Sequence, residues 1–314
     1  MCNSSNQLSV TVLVSRSNFP ALKSRYTQIP GVTVQPFLIE PAELTAGMML
    51  ALMGVSKGKT PPLYINQVTR ILRQMNSESA SGFCYQTFRR RLKETPFDGM
   101  QCEHLNQRLD LLESFIDLSG KSTATTFVSG QVTILDLSCP FVDENTACLL
   151  FNIGMGRFME SCSSRGKLLV LDEAHKFMRD TPAAKELTEQ LLSIIRQQRH
   201  YGVRVVVSTQ EPYLSPRLID LCSMIVIHRF SSPAWLEFLR KHVAADAERA
   251  EALFQEISEL RTGEAIVFAP SAMLGDGSEE ARVFGGRRFR IAVRKRITWD
   301  SGKSVFSVNF DQKQ

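Results

Sequence analysis

Leu168-Leu169-Val170-Leu171 runs directly into Asp172-Glu173 and then Ala174-His175-Lys176. A four-residue apolar strand that delivers two consecutive carboxylates can hold a divalent cation with the first and aim a water molecule with the second. This is the Walker B pattern, in which Asp172 would bind Mg2+ directly or through water and Glu173 would orient and polarise the attacking water. Ligands of such a pair belong at the carboxyl ends of the strands. The same two residues could instead cap the following helix, where the macrodipole favours negative charge.

Downstream residues bear on the choice. Thr181-Pro182 can cap and start a helix whose apolar stripe is Leu187, Leu191, Ile194 and Ile195, with Gly202 able to end it. At 100° per residue Arg196 points away from that stripe and Arg199 lies on its edge. A cation held off the core there could reach the phosphate of a neighbouring subunit, or could be a solvated basic helix end favoured by the dipole. Residues 203–207 then form a second buried strand, ending in Ser208-Thr209-Gln210. Beside the carboxylate pair, Thr209 and Gln210 would place an amide near a γ-phosphate and its attacking water. The alternative is a turn that merely follows the strand.

Elements that position these residues are legible in the hydrophobic pattern. Residues 10–14 and 32–39 read as strands, with a short helix over 19–26 between them. Residues 41–120 are mainly helical, with apolar spacing at Leu63, Ile65, Val68, Ile71, Leu72 and Met75 and again at Leu105, Leu109, Leu112 and Ile116. From residue 132 strand alternates with helix: 132–137, 168–171, 203–207, 224–227 and 265–268 are short aliphatic runs. Uninterrupted apolar strands with helices between them predict a parallel sheet covered on both faces. The expected fold is α/β, a doubly wound, mainly parallel sheet spanning 1–314 as one domain, with a helical insertion at 41–120 and a core at 130–270.

Composition narrows the setting. A 43% hydrophobic and 22% charged chain of 314 residues can bury a core without cross-links. Its net charge of +5 is too mild to name nucleic acid as a partner. Seven scattered cysteines without a C-x-x-C pair fit reduced thiols rather than a disulfide framework or a zinc site. There is no signal-peptide pattern and no apolar run near the ~18 residues that cross a bilayer. These features point to a soluble intracellular protein.

Four segments, KLLVLDEAHKFM, LLSIIRQQRHYGVRVVVSTQEP, LIDLCSMIVIHRF and LRTGEAIVFAPSA, occur in the order found in the HerA/FtsK-like ATPases, the hexameric DNA-pumping branch of the RecA-like P-loop proteins. The chain resembles HerA-like members over about residues 130–270. The resemblance implies a RecA-like fold, ATP and Mg2+ as ligands, a hexameric ring of copies and DNA as the translocated partner. It implies Asp172 as the Mg2+ aspartate, Glu173 as the catalytic base, Gln210 as the sensor, Thr209 beside it as a cofactor-binding residue, and Arg196 or Arg199 as an arginine finger acting in trans. Residues 132–138 resemble the strand that precedes Walker B in that family.

The family's phosphate-binding loop, G-x-x-x-x-G-K-[ST], has no complete copy here. Gly58-Lys59-Thr60 has Met53 in place of the first glycine and runs into Pro61-Pro62, and Gly120-Lys121-Ser122 has Phe115 there. Without backbone N–H groups and a lysine on the phosphates, most of the positioning that phosphoryl transfer needs is missing. The expectation divides between a truncated chain that lacks its amino-terminal Walker A unit and a natural half-domain. Three functions follow: an ATPase domain of the DNA-translocase type, a catalytically inactive structural or regulatory subunit of an ATPase assembly, and a DEAH-type helicase fragment. The last is suggested by the letters of residues 172–175 but lacks its second-lobe motifs.

Arg288, Arg290, Arg294 and Arg296 alternate with Phe289, Ile291, Val293 and Lys295 in the basic tail at 285–314. Period two predicts a half-buried strand with a cationic outer face, which could contact DNA phosphates or protect a solvated edge.

Overall fold

The computed structural model describes residues 9–52, 63–78, 83–118, 127–140, 142–161, 166–178, 181–243, 247–274, 282–283 and 288–294. Both glycine-lysine segments, 58–60 and 120–122, lie outside the described residues, as do Met53 and Arg296. The chain divides into two compact units, residues 1–210 and 211–314.

The first unit opens with β1 (Val10–Val14), α1 (Phe19–Tyr26) and β2 (Val32–Pro36). Pro20 starts α1, where a missing N–H costs nothing. The helices α2 (Ala46–Leu52), α3 (Leu63–Glu78), α4 (Tyr85–Glu94) and α5 (Gly99–Glu113) follow. Then come β3 (Val132–Asp136), α6 (Glu144–Glu160), β4 (Lys167–Leu171), α7 (Pro182–Arg196) and β5 (Val203–Val207).

All strand pairings in this unit are parallel, but they form two sheets, ordered β2-β1-β3 and β4-β5. In the first, Val12 and Val14 pack with Leu22 of α1 on one face, while Leu13 joins the large core of α2 to α6 on the other. Gly154 brings α6 close to that sheet: a Cβ there would stand 3.2 Å from Leu135. In the second, Leu169, Leu171, Val203 and Val205 meet Cys148 and Met155 of α6 and Ala184, Leu187, Leu191 and Ile194 of α7. Leu187, Leu191 and Ile194 of the predicted stripe are buried there, Ile195 is only half-buried while Leu192 is fully buried, and Thr181 caps the helix by accepting the N–H of Ala184 at 3.2 Å.

The second unit contains α8 (Pro216–Asp220), β6 (Ile225–Ile227), α9 (Pro233–Val243), α10 (Ala247–Ser258), β7 (Glu264–Phe268), the short antiparallel pair β8 (Met273–Leu274) and β9 (Arg282–Val283), and β10 (Arg288–Ala292). Here one expectation is corrected. The runs at 224–227 and 265–268 were expected in one parallel sheet with the others, yet β6 and β10 both pair antiparallel with β7. Two helices, α9 and α10, separate β6 from β7, and an apolar run reads the same in either direction. Periodicity could not tell a crossover from a return. Ile227 and Ile266 pack with Leu239, Leu253, Ile257 and Leu260 of this helical layer and its following turn.

Candidate functional site

The carboxylate pair stands at the carboxyl ends of β4 and β5. Pairing continues past the strands: Ser208 N–H donates to Leu171 O at 2.8 Å, and Ala174 N–H donates to Ser208 O at 2.9 Å. That ladder holds residues 172–174 beside 208–210. At the turn Glu173 takes φ 54° and ψ 40°, the left-handed region, and is the only non-glycine with positive φ among the described residues. A residue with a Cβ adopts that conformation at a cost of ~1–2 kcal/mol.

The strained turn presents the Glu173 side chain to β5. Gln210 Nε2 donates to Glu173 Oε1 at 2.7 Å. Glu173 Oε2 is shielded from solvent, with Lys176 Nζ 3.2 Å away and His175 Nε2 3.6 Å away. The Gln210 hydrogen bond first, and then Lys176, hold the Glu173 carboxyl below the usual carboxylate range. Asp172 is exposed, and its Oδ1 accepts the Glu173 N–H at 3.0 Å. Thr209 Oγ1 lies 3.4 Å from His175 Nδ1, so the segment after β5 touches the carboxylate loop twice. Asp172, Glu173, Thr209 and Gln210, drawn from two strand ends, therefore meet.

Cys148 ties this loop to α6 by donating its S–H to Phe177 O at 3.0 Å, and burial pushes its thiol up to about 11. Helix α6 in turn follows the end of β3. There Asp136 accepts hydrogen bonds from Tyr26 Oη at 2.8 Å, Ser138 N at 2.9 Å and Ser138 Oγ at 2.5 Å.

No protein-family model matches the chain, and no curated protein matches it at a significant level. Among solved structures, VirB4 of Thermoanaerobacter pseudethanolicus matches over 94% of this chain and 83% of its own, at 12% identity and a TM-score of 0.53. The chain shares the α/β fold of VirB4. The genome-packaging NTPase B204 of Sulfolobus turreted icosahedral virus 2, in complex with AMPPCP, matches 59% of this chain and 80% of its own at 19% identity and a TM-score of 0.35. B204 of Sulfolobus turreted icosahedral virus, the DNA-packaging ATPase, matches 92% and 99% at 15% identity and a TM-score of 0.33. Both scores are too low to bear on the argument. The fold class expected from the motifs is thus the one shared with VirB4, at an identity that speaks for fold alone.

Within the VirB4-like fold the remaining sequence candidates lie elsewhere. Arg196 ends α7 and Arg199 follows it, both exposed. Arg199 lines an open hollow of about 520 Å³ with Lys167 and Arg204, at the amino ends of β4 and β5. Four strand steps, about 13 Å, separate that end from the carboxylates. Arg196 and Arg199 are therefore not brought to Asp172 and Glu173 of their own chain.

In the second unit, Arg288 and Arg290 register opposite Phe268 and Ile266 of β7, on the face that α9 and α10 cover. Arg288 grips Glu256 of α10 at 2.7 and 3.0 Å, and Arg290 pairs with Glu264. Both guanidiniums thus bind carboxylates of their own unit. Arg294 is exposed beyond the strand. Two features escaped sequence reasoning. Lys176, one helical turn beyond Glu173, was legible in its i, i+3 spacing. The Tyr26–Asp136 contact, 110 residues apart, had no local signal.

Proposed function

We propose that residues 172–173 and 209–210 form the hydrolytic half of a nucleoside-triphosphatase site. The observation that carries this reading is the 2.7 Å hydrogen bond from Gln210 to Glu173 across the ends of two parallel strands. It couples the residue that would activate water to the residue that would sense the γ-phosphate.

The residues present fit a magnesium ion that arrives with phosphate. Asp172 offers one exposed carboxylate, and among the described residues no group of three His, Cys, Asp or Glu side chains forms a cage. Magnesium is commonly held by one or two carboxylates together with substrate phosphates. When bound, the ion would neutralise charge on the phosphate oxygens. Glu173 would aim a water molecule and receive its proton at Oε2 once Lys176 withdraws. Gln210 would hold Glu173 Oε1 fixed and thereby set the direction of attack.

Comparing ATP turnover of the full chain with that of Glu173→Gln tests this. The expected result is magnesium-dependent turnover that falls at least 100-fold in the variant. Equal background rates would instead favour a second reading, a structural or regulatory subunit of an ATPase assembly. Two observations support that alternative: the sequence has no complete phosphate loop, and both oxygens of Glu173 are already engaged.

Assembly and DNA contact are part of the same proposal. In a ring of copies, Arg196 or Arg199 of one subunit would meet the carboxylates of the next. Turnover rising with protein concentration, and lost in Arg199→Ala mixtures, would support it. DNA affinity that falls with salt, measured on the full chain, would support the nucleic-acid partner.

A further inference from the structure

Among the described residues of the first unit, the β4–β5 sheet has one face on α6 and α7 and nothing packed on the other. On the bare face Leu168, Val170 and Val206 are 60%, 52% and 48% exposed. The register sets exposed Arg204 opposite Leu168, and Val206 opposite Val170, so the four side chains are contiguous. Parallel strands are ordinarily covered on both faces. Along β4 the same alternation leads from Leu168 and Val170 to Asp172. The face therefore runs from a cationic end at Arg204, with Arg199 at the rim of the open hollow, to an anionic end at Asp172.

We propose that this face docks an amphipathic α-helix of a partner polypeptide, lying antiparallel to β4 and β5, with its amino end beside Asp172 and carboxylates of its last turn against Arg204.

Charge sets the direction. A helix carries partial positive charge at its amino end and partial negative charge at its carboxyl end, matching the two ends of the face only in the antiparallel sense. Length agrees: about 13 Å of strand corresponds to about nine helical residues. Area selects a helix over a second copy. The three aliphatic side chains expose on the order of 250 Å², whereas a stable dimer needs about 800 Å² per partner. The consequence for chemistry rests on the hydrolytic reading above. The first N–H groups of the helix would lie beside the carboxylate pair, where a phosphate must be held and where this sequence has no loop to hold it.

The test places an environment-sensitive fluorophore at Val170→Cys in the full chain. The probe is a synthetic amphipathic helix of about 20 residues with a leucine stripe and glutamates in its last turn. Saturable binding is expected, at least tenfold weaker when the glutamates are moved to the first turn. Arg204→Glu should abolish the preference, and a probe with lysines in its last turn should restore it. Arg204→Gln, with folding checked by circular dichroism, guards against a misfolded charge reversal. Three outcomes would overturn the proposal. Both probes could bind equally; the label could be shielded from a collisional quencher in the free chain at every concentration, meaning that the chain covers its own face; or shielding could grow with protein concentration, meaning that a second copy does. All measurements run without nucleotide. A chain that binds the probe but never hydrolyses ATP would sink the hydrolytic reading and leave the docking face standing.

Discussion

The two parallel sheets of the first unit are built from the same kinds of residue and end up in opposite conditions. In β2-β1-β3 the central strand is enclosed on both sides, with Val12, Leu13 and Val14 at 1%, 1% and 0% exposure. In β4-β5 alternate residues are enclosed and alternate residues face solvent. The candidate chemistry sits on the less enclosed sheet. Rigidity and chemistry are thus separated: helices α1 to α6 hold the first sheet, while the second keeps one face and one strand end accessible.

The largest test of that contrast is a pair of truncations. Leu13→Ala removes a side chain buried beneath the helical layer and should cost about 2–5 kcal/mol. Val170→Ala, on the bare face, should change stability by no more than about 0.5 kcal/mol. Urea unfolding of both variants measures the difference. Similar costs at the two sites would mean that the β4–β5 face is covered in solution, and the contrast would fail.

A smaller effect is expected at the anchor between the turn after β2 and α6. Arg157 Nε donates to Glu43 Oε1 at 2.6 Å, its guanidinium lies 5.2 Å from the centre of the Phe37 ring, and a second nitrogen pairs with Glu43 Oε2. Glu43 also accepts the Glu40 N–H at 2.8 Å. Burial alone would raise the Glu43 carboxyl, but the Arg157 hydrogen bond and then the Glu40 N–H outweigh it, and the net shift is downward from 4.5. Because the folded value is depressed, its stabilisation is complete above pH 4.5 and disappears as pH falls through the folded value. Glu43→Gln should cost about 1–3 kcal/mol at pH 7, since Arg157 keeps a half-buried charge without its partner. The cost should vanish in acid. Unfolding curves at pH 7 and below pH 4 check both statements; a pH-independent cost would mean that packing on Phe37, rather than charge, holds the anchor.

This anchor also shows what a sequence can and cannot disclose. Strands β1, β4 and β5 and helices α1 and α7 were legible because each has a local pattern: an aliphatic run, a proline at the first turn, a stripe at helical spacing. Asp172 and Glu173 were legible for the same reason, as carboxylates fixed to the end of an apolar run. Gln210 could be matched to Glu173 because two neighbouring strands both ended in polar groups. Glu43 and Arg157 are 114 residues apart, and nothing local joins them. The direction of β7 was equally hidden, since alternation does not encode the sense of pairing. The arginines of β10 had the right period, but the pattern could not reveal that Glu256 and Glu264 would meet two of them. What escaped was long-range pairing and the sign of the charge across an interface.

The smallest prediction concerns the turn itself. Glu173 is held at positive φ by the ladder between residues 171–174 and 208, while its side chain adds contacts to Gln210 and Lys176 that an alanine and a glycine variant lose alike. Replacing it by alanine removes those contacts and keeps the Cβ in the left-handed region. Replacing it by glycine removes the same contacts and releases the strain. Glu173→Gly should therefore be more stable than Glu173→Ala by about 1 kcal/mol, the reverse of the usual order in helices and strands. Urea midpoints of the two variants decide it. An alanine variant as stable as the glycine one would mean that the turn relaxes once the side chain is gone, and that Gln210 and Lys176 impose the conformation. The present ordering instead assigns the strain to the backbone ladder, so the carboxylate is aimed at β5 before any ligand arrives.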